Sequence, residues 1–228
     1  MSRKQRRGPI HVRHAAVLLA SLLLASIAAL GISAVQSPSA EAAGGGDVRK
    51  CGGGKIFLNA KEKETFAQHN NIRRNHNLPT LCVHPDLQRA ARAHSTDMLF
   101  EDYFDHRSCN RPSNDYRRLN CDEEFFERID RFGYTNYSTI GENIAWGSGP
   151  LGTPAKIMDA WMHSPGHRAN ILKRDYREIG IGVREGDNYD PTPCGDRDRD
   201  EPCPAEEARR QGIDDVFMYT ADFGTRFR

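Results

Sequence analysis

Ser164 and His167 stand three residues apart in the string SPGH, so one helical turn would bring a hydroxyl beside an imidazole. That is the minimum of a nucleophile–base pair. A serine before proline is first of all a helix cap, however. No oxyanion donor or orienting acid adjoins the pair in sequence. His94 recurs on an apolar stripe with Leu87, Ala90, Ala91 and Met98, which reads as a core histidine with its hydrogen bond satisfied. His69, Asn70 and Arg73 share a helical face and read as braces rather than chemistry. Asp196, Asp198, Asp200 and Glu207 fit the first, third, fifth and twelfth places of an EF-hand-like series. Glu201 occupies the place of the turn glycine there, so the segment reads as a solvated charged loop. Asn136-Tyr137-Ser138 is a formal glycosylation sequon.

Six cysteines follow the N-terminal region: Cys51, Cys82, Cys109, Cys121, Cys194 and Cys203. No C-x-x-C occurs, which speaks against a zinc cluster and for disulfides in an oxidising compartment. Many pairings are open to six cysteines. The nearest-neighbour set, 51–82, 109–121 and 194–203, is the expectation.

The start of the chain agrees with that compartment. Arg3, Lys4, Arg6, Arg7 and Arg13 precede an uncharged stretch over 15–35, and small residues with an A-x-A at 40–42 follow. Basic, apolar and small-residue regions in this order make residues 1–42 a signal peptide. The apolar run also reaches spanning length, so retention as a membrane anchor stays open. Export accounts for the basic run without a nucleic-acid role. The formal net charge of +1 likewise nominates no polyanionic partner.

What must position these groups can be read from periodicity. Residues 43–58 open Gly-rich and read as a tether. Asn59 with Glu62 predicts a capping box and a helix to about Asn75. Pro85 predicts the first turn of a second helix. Residues 105–121 read as a loop, and 122–132 as a third helix ended by Gly133. Helices are expected from Thr153-Pro154 and from Ser164-Pro165. Strands are expected at 143–146, 179–183 and 216–223, with a charged insertion over 185–213. Early helices and late strands predict an α+β domain over 59–228 with an antiparallel sheet packed on helices.

Several strings then stand in a telling order. Tyr103-Phe104-Asp105-His106 is followed by Arg128, Gly133-Tyr134 and GENIAWG from Gly141. WMHSPGHRANIL from Trp161, EIGIGV from Glu178 and YTADFG from Tyr219 complete the series. This succession resembles the CAP (SCP-like) superfamily in its bacterial form, which includes cysteine-rich secretory proteins and plant pathogenesis-related proteins of class 1. The resemblance spans about residues 60–224. It implies a three-layer α-β-α sandwich with a central antiparallel sheet.

The resemblance also implies a central cleft with two histidines and two acids. Carried over, the histidines are His106 and His167 and the first acid is Glu142; the place of the second acid holds Ser164. His106 and His167, with Glu142 nearby, would be ligands for Zn²⁺ or another divalent cation. A module binding a lipid, a cell-envelope component or another extracellular ligand is the implied function. A metal-assisted extracellular hydrolase and a structural envelope protein are the alternatives.

Overall fold

The computed structural model describes residues 44–110, 120–190 and 212–227. The first helix, α1 (Ala60–Asn75), begins where its capping chemistry predicts. The Glu62 N–H donates to the Asn59 side chain at 2.9 Å, and the Asn59 N–H donates to the Glu62 carboxylate at 2.9 Å. Pro85 opens α2 (Pro85–Phe100), whose predicted stripe of Leu87, Ala90, Ala91, His94 and Met98 is wholly buried. α3 (Phe125–Arg131) is shorter than expected, because residues 120–123 pair as a strand instead. α4 (Pro154–His163) and α5 (Pro165–Leu172) start at the two expected proline sites.

The strands are β1 (Gly46–Arg49), β2 (Lys55–Leu58), β3 (Cys82–Val83), β4 (Ser108–Asn110), β5 (Asn120–Glu123), β6 (Tyr137–Ser148), β7 (Glu178–Gly186) and β8 (Val216–Arg226). The main sheet has the order β3-β7-β8-β6. Both long pairings, β7 with β8 and β8 with β6, are antiparallel. The two-residue pairing of β3 with β7 is parallel and departs from the wholly antiparallel sheet expected.

Alternation sorts the sheet into its two faces. Ile179, Ile181, Val183, Tyr219, Ala221 and Phe223 pack with Ile157, Met158 and Trp161 of α4 and Ile171 of α5. Phe66 and Ile72 of α1 join the same cluster. Behind the sheet, Met98 and Leu99 of α2 meet Ile144 and Met218, and Leu87 and Ala90 meet Ile129 of α3. The result is the three-layer α+β arrangement: α1, α4 and α5 on one face, α2 and α3 on the other.

Three sequence expectations are corrected. The tether over 43–58 is instead a β-hairpin from Gly46, with Gly46 opposite Leu58 and Gly52–Gly54 all at positive φ in its turn. A disulfide joins Cys51 to Cys82, and the Cys51 N–H donates to Val83 at 2.9 Å. Glycine content signals a free chain, but a ladder partner and a crosslink from a distant segment order it. The loop over 105–121 contains β4 and β5, joined by the Cys109–Cys121 disulfide. The insertion over 185–213 begins later than expected, since β7 runs to Gly186 and Tyr189 then pairs with Ile213. The interior of that insertion, with Cys194, Cys203 and the acidic series 196–207, lies outside the described residues, as does the segment 1–42.

Two polar devices lock the layers. Arg73, fully buried on α1, donates to the carbonyls of Pro79 (2.8 Å), Ile171 (2.8 Å), Lys173 (2.9 Å) and Tyr176 (3.0 Å). It ties α1 to the ends of α5 and β7 without any carboxylate. On the other face, the Gln88 amide exchanges two bonds with the backbone of Ile181, at 2.5 and 2.9 Å. That exchange requires α2 to lie very close to β7. A Cβ at Gly180 would stand 2.1 Å from the Leu87 carbonyl carbon, and one at Gly182 would stand 2.2 Å from the Ala91 carbonyl oxygen.

Backbone cannot yield as a flexible side chain can. Gly180→Ala and Gly182→Ala are therefore each expected to destabilise the fold by about 1–3 kcal/mol or more, the range of overpacking. Thermal denaturation followed by circular dichroism measures this; an unchanged melting temperature in both variants contradicts the close approach.

Candidate functional site

Glu142 lies midway along β6, the edge strand of the sheet, directly opposite Asp222 of β8. Its side chain is 1% exposed, as is that of Arg128 on α3. A buried carboxylate needs partners for both oxygens. One oxygen accepts from the Arg128 guanidinium, and the other accepts from His106 Nδ1 at 2.8 Å. Arg128 also donates to the His106 carbonyl at 3.1 Å and to Ser108 Oγ at 2.9 Å. The guanidinium thus holds both Glu142 and the segment that carries His106.

An ionised carboxylate can only accept, so the proton on His106 sits on Nδ1. The opposite edge of the ring, Nε2, is left as an acceptor on a half-exposed side chain. A carboxylate–imidazole pair of this kind fixes the tautomer and the orientation of the ring.

His94 lies beneath, fully buried, with Nε2 4.0 Å from Glu142. That nitrogen donates to the Asp105 carbonyl at 3.0 Å. Burial outweighs the attraction of Glu142 and lowers its pKa to about 3, so the imidazole is neutral at physiological pH. Burial, the largest influence on Glu142, pushes its carboxyl up. The charged form of His94, the His106 hydrogen bond and Arg128 more than offset this and hold it well below the usual carboxylate range. Asp222 is the converse case. It is fully buried, its oxygens lack hydrogen bonds of good geometry, and burial together with the Glu142 charge raises its pKa well above 3.8. One carboxyl of the cross-strand pair is ionised and the other keeps its proton, as like charges at close range require.

His167 reaches the cleft from the other layer, around the edge of the sheet. The Asn143 side chain donates to the His167 carbonyl at 3.0 Å. Asn170 donates to the Glu142 carbonyl at 3.0 Å and to Asn143 Oδ1 at 2.9 Å. These bonds bind α5 to β6 and satisfy part of the open strand edge. The His167 ring is partly buried, and burial and then the nearness of His106 lower its pKa. Two asparagines thus pin the turn at 164–167 to β6. Ser164 occupies the N-cap position of α5, yet its side chain makes no capping bond.

The structure thus brings His106, Glu142 and His167 to one edge of the sheet. Arg128, Asn143, Asn170 and Asp222 were missed as site residues, although each lies inside one of the strings that carry the resemblance. His94 adjoins the site as well as filling the core. His69 is buried in the core between Trp161 and Phe223, and His163 is exposed. Trp161 is core, and its indole N–H donates to Ile144 at 3.0 Å.

The donor set around the expected cation site is as follows. Both Glu142 oxygens are engaged, one of them by a guanidinium that would repel a metal ion. Ser164 supplies no carboxylate, and two imidazoles fall short of the three protein ligands of a catalytic zinc site. Among the described residues no three His, Cys, Asp or Glu side chains converge on one point. The fixed cation beside Glu142 is Arg128.

The family model described as "Cysteine-rich secretory protein family" (CAP) matches residues 66–190. The uncharacterized protein YkwD of Bacillus subtilis (strain 168) is 37% identical over 128 residues, covering 56% of this chain and 44% of that protein. The uncharacterized membrane protein YlbC of the same organism is 32% identical over 129 residues, covering 57% of this chain and 33% of that protein. The chain thus spans less than half the length of the curated relatives it matches. Among solved structures, an extracellular SCP-domain protein of Bacillus anthracis superposes with a TM-score of 0.49 at 22% identity, covering 77% of this chain and 47% of that one. An outer surface protein of Borrelia burgdorferi gives 0.49 at 16% identity, covering 80% of this chain and 99% of that one.

Two stability experiments test the electrostatics. Removing one partner of a buried ion pair leaves an uncompensated charge, so Arg128→Met is expected to lose about 3–5 kcal/mol in chemical denaturation. For Asp222, the folded state holds a proton that the unfolded chain releases above 3.8. That stabilisation is present at low pH and lost as pH rises, so the acid costs stability at neutrality. Asp222→Asn is therefore expected to raise the melting temperature at pH 7. His94 has the opposite dependence: its folded pKa of about 3 lies below 6.5, so its contribution is complete above about pH 6.5 and is lost on acidification. An Asp222→Asn melting temperature at pH 7 equal to or below wild type contradicts the protonated acid.

Proposed function

We propose an extracellular binding role, from the premise that the chain belongs to the cysteine-rich secretory protein (CAP) family. The ligand is a hydroxyl- or amide-bearing component of the cell envelope or surroundings, and it docks at the edge cleft formed by His106, His167 and Ser164. The observation that carries this reading is the 2.8 Å bond from His106 Nδ1 to buried Glu142, which leaves Nε2 as an oriented acceptor on a half-exposed ring. His167 adds a second imidazole that burial keeps neutral. One oriented acceptor, a second neutral imidazole and a hydroxyl suit hydrogen-bonding groups on a glycan or peptide better than an acyl chain. The basic-apolar-small N-terminus and two disulfides, Cys51–Cys82 and Cys109–Cys121, support a location outside the cytoplasm, either released or held at the membrane.

A hydrolase is the second reading, and the same dyad favours it. A carboxylate-oriented imidazole is a competent general base for an attacking water. Among the described residues no side-chain nucleophile is hydrogen-bonded to His106 or His167. Catalysis would therefore rest on general-base action alone.

Calorimetry with wall glycan and stem-peptide fragments, on the chain and on a His106→Ala/His167→Ala variant, tests the binding role. Saturable binding that the variant loses by about tenfold or more supports it, since an oriented bond to a polar ligand is worth about a factor of ten. Equal affinity in both proteins refutes the cleft as the site. Turnover of an ester, peptide or glycan that the variant lacks would convert the reading to the hydrolase. Fractionation of cells separates release from anchorage: a protein shortened by about 42 residues in the medium follows from cleavage, and full-length protein in the membrane follows from retention.

A further inference from the structure

We propose that a second, cation-rich cavity at the end of the sheet binds a small organic monocarboxylate. The cavity has a volume of about 690 Å³, within the range of small-ligand sites. Four separate pieces of chain enclose it: His84 before α2, Asn136 after α3, Arg177 and Glu178 at the start of β7, and Arg226 and Phe227 at the end of β8. It is distinct from the edge cleft, because it lies several residues farther along β8 than Asp222, which faces Glu142. The Phe227 N–H donates to the Asn136 carbonyl at 3.0 Å and holds the end of β8 over the cavity.

The charges in this cavity do not cancel. Glu178 is fully engaged: it accepts from the Tyr134 hydroxyl at 2.6 Å and from Arg226 at 2.9 and 3.2 Å. The nearby Asp86 carboxylate is paired with Arg89 at 2.6 Å, and two guanidinium groups against the one remaining carboxylate leave a single positive charge, on Arg177. That charge has no acidic partner among the described residues. Arg177 is nonetheless held in place, since Nη1 donates to the Arg174 carbonyl at 2.5 Å and the Tyr176 carbonyl at 2.9 Å. Nε and Nη2 have no protein partner among the described residues, and this is the edge of a guanidinium that grips a carboxylate bidentately.

His84 supplies the third donor. Its Nδ1 accepts from the Asp86 N–H at 3.2 Å, acting as the N-cap of α2, so the proton of the neutral ring sits on Nε2. The side chain is only 9% exposed, and Nε2 has no partner among the described residues. Burial lowers the pKa of His84, in keeping with the neutral ring. A ring N–H without a hydrogen-bond partner among the described residues, on a mostly buried side chain lining a cavity beside an anchored guanidinium edge, has the geometry of an acceptor-binding site. Phe227, 62% exposed at the rim, offers an apolar face to the rest of the ligand. One net positive charge matches a carboxylate better than a phosphate dianion. The source of the carboxylate is either a peptide C-terminus or a sugar acid.

The full chain, purified from whichever fraction of the cell contains it, is titrated with N-acetyl-alanyl-alanine, with glucuronic acid and with inorganic phosphate. Binding is followed by calorimetry and by the NMR signal of the Arg177 Nε–H. Saturable binding of one carboxylate, with a dissociation constant on the order of 1 mM or tighter, supports the proposal, and the better probe identifies the source. Arg177→Gln is expected to weaken binding by about tenfold or more through loss of the bidentate pair. His84→Asn keeps a capping oxygen but removes the Nε2 donor, and is expected to weaken binding by about threefold or more at an unchanged melting temperature. If that variant unfolds, Arg177→Gln alone decides. Failure of both carboxylates to bind, equal affinity for phosphate, or unchanged affinity in Arg177→Gln overturns the proposal. None of these results depends on the edge cleft.

Discussion

The contact on which the architecture depends is the close approach of α2 to β7. Gly180 and Gly182 leave no side chain between strand and helix, and the carbonyls of Leu87 and Ala91 occupy that space. Polar groups make the approach specific. Gln88 pairs with the Ile181 backbone as a neighbouring strand would, and Ser95 Oγ donates to the Gly182 carbonyl at 3.0 Å while bonding the Thr220 hydroxyl at 2.9 Å. With the helix set in this way, its two ends serve two places. His84, at the start, lines the cation-rich cavity, and His94, two to three turns on, lies beneath Glu142. A shift of α2 would disturb both at once.

Around that contact the protein buries charge in two different ways. Arg73 is buried among backbone carbonyls and ties three elements together without an acid. Arg128 is buried against a carboxylate and fixes an imidazole through it. Buried ions contribute little net stability but are very costly to leave unpaired. Each arginine therefore specifies a geometry more than it adds stability. At Arg128 the geometry specified is the outward edge of His106. The guanidinium also occupies one oxygen of Glu142, and His106 the other.

Much of the fold was legible in the sequence because local rules govern it. Asn59 with Glu62, Pro85, Pro154 and Pro165 mark helix starts through backbone chemistry that operates over three or four residues. Runs of β-branched and aromatic residues mark β7 and β8, and the buried stripe of α2 follows its helical period. The hairpin over 46–58 and the strands at 108–110 and 120–123 were not legible. Each is short, and each depends on a crosslink or a ladder partner supplied by another part of the chain.

The sequence by itself determined the layer composition, the family strings and the identities of the groups that could act, including His106, Glu142 and His167. Their meaning depended on tertiary structure. Register sets Glu142 opposite Asp222, and α3 delivers Arg128 to the same carboxylate, so one acid ionises and the other keeps its proton. Ser164 and His167, three residues apart in sequence and the first pair to suggest chemistry, form no hydrogen-bonded pair among the described residues, whereas His106 and Glu142, far apart in the chain, do. The cation-rich cavity exists only where four separate segments meet. Spacing along a chain fixes contacts within a turn or a strand; the charge and tautomer of a buried group follow from neighbours that only folding brings within a few ångströms.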